Sequence, residues 1–143
     1  MQKLTCTIAW NDEMSVGIPE IDADHKNFIL LINDFNWSIT GGNNPDVIKQ
    51  RLHLIIDDAV QHFAHEERLF KEWQYINLED HAKTHANVVK KLNEIMSNFT
   101  PYGHDTGWVT AGLEIKNILI NHMMTDDMKY MECYQALTVA AGT

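Results

Sequence analysis

His62 and Glu66 stand four residues apart in the stretch "QHFAHEERLF", and His81 and His85 repeat that spacing in "HAKTH". On a helix, residues at i and i+4 share one face, stacked one turn apart. His25 and His122 fall on the apolar faces of two further periodic stretches. An imidazole or a carboxylate on such a face is costly unless something pairs with it. A lone histidine there reads as a hydrogen-bonded core residue. Five of them with a glutamate, spread over four stretches, read as ligands of a metal cation, which neutral imidazole and carboxylate both bind.

The spacing narrows the kind of centre. Six candidate ligands exceed the needs of one four-coordinate zinc. "HEERL", residues 65–69, begins like the HExxH of zinc proteases but ends in Leu69. No glutamate has a histidine three residues later, so the Glu-x-x-His pairs of carboxylate-rich di-iron bundles are absent. What remains is a histidine-rich centre in a helical bundle, most simply a dinuclear one.

The elements that must position these ligands follow from periodicity. Ile21, His25, Phe28, Ile32, Phe35 and Ile39 step by four and three; so do Ile48, Leu52, Ile55, Ala59, His62, Glu66, Leu69 and Trp73. Leu78, His81, His85, Val88, Leu92, Ile95 and Phe99 form a third such seam, and Trp108, Gly112, Ile115, Leu119 and His122 a fourth. Each is the inward stripe of a bundle helix. The punctuation agrees. Gly17 and Pro19 close an N-terminal arm, and a first helix is expected from about Asp22 to Thr40. "GGNNP" offers Asn44 as N-cap and Pro45 as first helical residue of a second helix running to about Trp73. Asn77 is placed to cap a third helix, with Glu79 and Asp80 in its first turn. That helix ends before the loop "TPYGHDTG", and a fourth begins near Trp108 and extends past His122. Short links between long helices predict an all-α, up-down-up-down four-helix bundle. It is expected to be a single domain over 1–143: an arm (1–20), the bundle (21–127) and a C-terminal extension (128–143) with a short helical piece.

Composition bounds the partners. The 143 residues carry a formal charge of −9, which argues against nucleic acid or an anionic membrane surface. Cys6 and Cys133 form no CxxC pair, as expected of a reduced, cytoplasmic chain. "MQKLTCTIAW" lacks the apolar stretch of a signal peptide, and the run "FILLI" is too short to span a bilayer.

The chain resembles bacterial hemerythrins over nearly its whole length. The resemblance rests on "GIPEIDADHKNF" with His25, "HFAHEE" with His62 and Glu66, "HAKTH" with His81 and His85, and "HMMTDD" with His122 and Asp127. It implies a non-haem di-iron centre that binds O₂ reversibly, for storage or delivery inside the cell, rather than an enzyme. Carried over by position, His81, His85 and His122 hold one iron, and His25 and His62 the other. Glu66 and Asp127 bridge them together with an oxo or hydroxo group, and the two-histidine iron keeps an open position for O₂. Helical arithmetic alone prefers Asp126, four residues after His122; the family pattern selects Asp127, five residues after it. A π-type turn would bring Asp127 back into register. Phe28, Phe63, Leu119 and Met123 neighbour the ligands along their helices and are proposed to wall the O₂ pocket.

Blander roles are expected elsewhere. His53, His65 and His104 read as surface residues and Glu67 as solvated. Asp22 and Asp24 read as serving a helix start, and Trp10 as packing the arm on the bundle. Oxygen or redox sensing is the competing function, and a peroxide-reducing or iron-oxidising enzyme a third. The expected partners are O₂ and an O₂-consuming enzyme or a redox partner.

Overall fold

The computed structural model describes residues 8–100, 103–104 and 107–142, with side chains for 8–99, 107–131 and 133–137. Cys6 and the side chain of His104 fall outside that set. α1 spans Pro19–Thr40, α2 Pro45–Trp73, α3 Leu78–Ser97 and α4 Trp108–Asn121. α1 packs on α2 and α4, α2 on α3, and α3 on α4, which closes the four into a bundle. The expected all-α bundle is the observed fold.

Its core is the set of seam residues. Phe28, Ile32, Phe35, Leu52, Ile55, Ala59, Leu92, Ile115 and Leu119 are all buried, in one contiguous apolar cluster. Gly112 belongs to this seam because a side chain there would collide with Asn36 of α1, so its absence lets α4 approach α1. A second cluster, built from Val16, Ile18, Ile21, Phe70, Tyr75 and Tyr130, closes one end.

The helix ends follow the sequence with three differences. Asn44 caps α2 as expected, its side chain accepting from Val47 N at 3.0 Å ahead of Pro45. α1, however, begins at Pro19 rather than near Asp22, since proline's fixed φ suits a first turn. Asn77 occupies the cap position of α3 without a side-chain cap bond; its carbonyl alone accepts, from His81 N. The loop after α3 contains a two-residue hairpin, β1 Phe99–Thr100 against β2 Gly103–His104.

The arm is pinned rather than merely draped. Asn33 in α1 binds both backbone groups of Ile8, donating to its O at 2.8 Å and accepting from its N at 2.9 Å. Asp22 accepts from Ser15 Oγ and Val16 N. Trp10 packs on the main cluster and lies under the Lys26 ammonium, 5.1 Å from the ring centre. Beyond α4 the helix changes pitch: a π turn covers His122–Asp126, a 3₁₀ turn Asp127–Tyr130, and α5 runs Met131–Gly142. Among the described residues no helix is long and apolar enough to cross a membrane.

Candidate metal centre

The four helices bring seven buried polar side chains to one place. His25 comes from α1, His62 and Glu66 from α2, His81 and His85 from α3, and His122 and Asp127 from the end of α4 and its π turn. None is more than 5 % exposed. They fall into two overlapping groups whose ligand atoms lie within 4.8 Å of one another. Glu66, His81, His85, His122 and Asp127 form one; His25, His62, Glu66 and Asp127 form the other. The two carboxylates are common to both.

Asp127 spans the groups with its two oxygens. Oδ1 lies 3.0 Å from His81 Nε2 and 3.0 Å from His122 Nε2, while Oδ2 lies 3.0 Å from His25 Nε2. Glu66 Oε1 sits 3.4 Å from His62 Nε2 and 3.1 Å from His85 Nε2. The π turn makes this possible. Five residues along a regular helix would carry Asp127 well away from His122; the wider turn returns it to the same side. Asp126, one residue earlier, is left on the rim with 24 % of its side chain exposed.

Outside the ring of nitrogens stands a set of carboxylates. His62 Nδ1 donates to Asp24 Oδ2 at 2.9 Å, His85 Nδ1 to Glu67 Oε2 at 2.9 Å, and His122 Nδ1 to Asp126 Oδ2 at 3.1 Å. An ionised carboxylate only accepts, so each bond places the proton on Nδ1 and leaves an Nε2 lone pair facing inward. Such partners orient a ligating histidine and raise its basicity. Three residues differ from the sequence expectation. Asp24 orients His62 rather than serving the start of α1, and also accepts from His65 Nδ1 at 3.0 Å. Glu67 orients His85 rather than standing in solvent. His65, read as a surface residue, is half-buried between Asp24 and Glu20; His53 is exposed as expected. On α2, His65 and Glu67 lie just off the seam, next to the candidate ligands His62 and Glu66, and that adjacency was the available signal.

Tyr130 is the participant the sequence reading missed. It is fully buried, and its hydroxyl donates to Glu66 Oε2 at 2.5 Å. Burial pushes its phenol far above the ordinary tyrosine range, so it stays a donor. Its signal was the step of three from Asp127, which continues the fourth seam into the extension.

The donor set fits metal cations. The Nε2 atoms of His25, His62, His85 and His122, with Glu66 Oε1 and Asp127 Oδ2, are buried and make no hydrogen bond to any described residue. Lone pairs of nitrogen and carboxylate oxygen face each other at about 3 Å, an arrangement that needs positive charge between them. Between His122 and Asp127 of the metal-free chain a proton takes that place. Burial pulls the His122 pKa down, but the contact with Asp127 outweighs it and raises the value to about 9. Burial likewise pushes Asp127 up, and the contacts from His122, His25 and His81 reverse this and hold it well below the usual carboxylate value. Asp24 is lowered to about 2, chiefly by the bond from His62.

A pH dependence follows. A metal must displace the His122 proton, so metal affinity is expected to rise with pH and level off above about 9. The metal-free fold responds in the opposite sense. A raised folded-state pKa contributes stability that is complete below the ordinary value of 6.5 and lost as pH rises through about 9. Metal titrations and thermal denaturation across this range check both signs; affinity flat from pH 6 to 9 would refute the displaced proton.

Aromatic rings wall one side. Phe63 stacks on His85 with ring centres 4.0 Å apart and meets His122 edge-on at 5.2 Å. Phe28 meets His62 edge-on at 5.3 Å. Leu119 and Met123 are buried in the same apolar cluster as these two.

Comparison with known proteins agrees with this geometry. The chain is 29% identical to a bacteriohemerythrin of Pseudomonas aeruginosa over 125 residues, 87% of this chain and 80% of that one. It is 25% identical to a bacteriohemerythrin of Methylococcus capsulatus over 136 residues, 95% of this chain and all of that one. A hemerythrin-like protein of Naegleria gruberi is 27% identical over 85% of this chain and 88% of its own. The family profile described as "Hemerythrin HHE cation binding domain" matches residues 16–134, which takes in all seven converging side chains. The chain therefore belongs to the hemerythrin HHE cation-binding family.

Proposed function

We propose that this chain binds O₂ reversibly at a two-iron centre, with His81, His85 and His122 on one iron, His25 and His62 on the other, and Glu66 and Asp127 bridging. The observation that carries this reading is the pair of ligand groups sharing both carboxylates, one with three histidines and one with two. That asymmetry leaves the two-histidine side one protein ligand short. The irons, joined also by an oxo or hydroxo bridge, would supply O₂ with one electron each and recover them on release.

The protein's part is to keep that exchange reversible. Five neutral imidazoles and only two carboxylates put little negative charge on the metals, which disfavours the higher oxidation states that cleave O₂. Asp24, Glu67 and Asp126 hold three of the imidazoles in one orientation. Phe28 and Phe63, both packed against His62, keep water from the open side, and Leu119 and Met123 complete that wall. Storage or delivery to an O₂-consuming enzyme is the role this supports.

The test is the absorption spectrum of the reduced protein on mixing with O₂ and after its removal. A charge-transfer band that comes and goes supports the carrier. Irreversible oxidation on first exposure would reject it and leave a sensor or an enzyme. Phe63→Ala probes the wall. Loss of the ring is expected to cost about 3–5 kcal/mol of stability and to speed autoxidation, with iron content retained. A variant that loses the stability but autoxidises at the wild-type rate would reduce Phe63 to packing.

A further inference from the structure

The end of the bundle next to Glu66 holds oxidisable rings that the proposed O₂ chemistry does not use. Tyr130 touches Glu66 Oε2 through its hydroxyl. Trp73 lies 5.9 Å from Tyr130 between ring centres, and Tyr134 lies 5.3 Å from Trp73. Tyr130 is fully buried, whereas Trp73 and Tyr134 are partly exposed. The three rings thus form a line from a carboxylate of the metal site to solvent. Phe70 packs among them but is too hard to oxidise to take part.

Resting on the two-iron reading, we infer that Tyr130, Trp73 and Tyr134 form a route by which oxidising equivalents leave the centre for the protein surface. The need would arise if hydrogen peroxide, rather than O₂, met the reduced metals: one electron from a metal would split the O–O bond into hydroxide and a hydroxyl radical, a strong oxidant in the core that one further electron turns to hydroxide. Tyr130 supplies one electron, and its proton moves along the existing bond to Glu66 Oε2. Trp73 then reduces the Tyr130 radical, and that proton returns to the phenol oxygen. Tyr134 reduces the Trp73 radical cation and loses its own proton to water. A small thiol gives a hydrogen atom to the Tyr134 radical, and two thiyl radicals couple to a disulfide. Each passage therefore removes one oxidising equivalent at the expense of one thiol, and no ligand is altered. Tyr75, also near Tyr130 at 6.5 Å, is a poorer exit: its buried hydroxyl has no hydrogen-bond partner among the described residues to take a proton.

Pulse radiolysis of the iron-loaded full chain tests the route without reference to O₂ binding. Azide radicals oxidise tryptophan, and the decay of its radical is followed together with growth of the tyrosyl radical. A first-order, concentration-independent transfer is expected in the wild type and in Trp37→Phe, and its loss in Trp73→Phe. Transfer that persists in Trp73→Phe, or is absent from the wild type, overturns the proposal. Peroxide treatment followed by mass mapping gives a second reading. Oxidation is expected at Trp73 and Tyr134 in the wild type, to move onto Met123 in Tyr130→Phe, and to accumulate on Trp73 in Tyr134→Phe. The same damage map in all three proteins would also overturn it. Failure of the O₂ reading leaves these transfers measurable, and failure of the route leaves the iron content and O₂ spectrum unchanged.

Discussion

Asp127→Ala is expected to abolish the two-metal centre, while Asp126→Ala keeps its absorption spectrum and weakens metal affinity by roughly 10- to 100-fold. The difference follows from one residue of helical position. Asp127 is fully buried and lies 3.0 Å from three imidazoles drawn from α1, α3 and the end of α4. Its removal leaves His25, His81 and His122 without the anion that gathers them. Asp126 touches the site only through His122 Nδ1 and is otherwise paired with Lys129 at the surface. Metal analysis and visible spectra of the two purified variants decide the matter. Two irons per chain in Asp127→Ala, or none in Asp126→Ala, would mean the bridging role has been given to the wrong residue.

The same pair marks how far the sequence could be read. The four helices were legible because each seam repeats every three to four residues for several turns, and His25, His62, Glu66, His81, His85 and His122 sit on those seams. Asp127 was not legible from periodicity, since a local change of pitch breaks the arithmetic that located the others. The orienting carboxylates Asp24 and Glu67 were obscured for a different reason. Each lies on the flank of its own helix and acts on a histidine of another, so beyond the adjacency of Glu67 to Glu66 no spacing along the chain records the contact. Tyr130 was hidden by both effects: it follows the pitch change and reaches Glu66, 64 residues away, across the bundle.

Glu66→Ala is expected to lose iron and to lower the melting temperature even without metal. One oxygen of Glu66 lies between His62 and His85, so its removal deprives both ligand groups of a shared carboxylate. The other accepts from Tyr130, and a buried hydroxyl left without a partner costs about 1–3 kcal/mol. Because metal binds the folded chain, lost affinity adds to lost stability. Glu66→Gln separates the two effects. Its amide oxygen still accepts from Tyr130, so the metal-free melting temperature should recover while iron remains absent. Iron analysis with paired melting curves checks this, and Glu66→Ala protein with its full iron content would contradict the bridging assignment.

The π turn at His122–Asp126 also bears on what kinds of change the chain can survive. Insertion of one residue into a regular helix turns everything beyond it by about 100°, which here would swing Tyr130, Tyr134 and α5 off the bundle. A widened turn absorbs the extra residue where it occurs and passes the following chain on in its original phase. The segment between His122 and Asp127 is therefore a joint at which length and orientation are uncoupled. A one-residue deletion inside it, returning the two ligands to a spacing of four, should be tolerated where the same deletion in the middle of α2 or α3 would scramble the core.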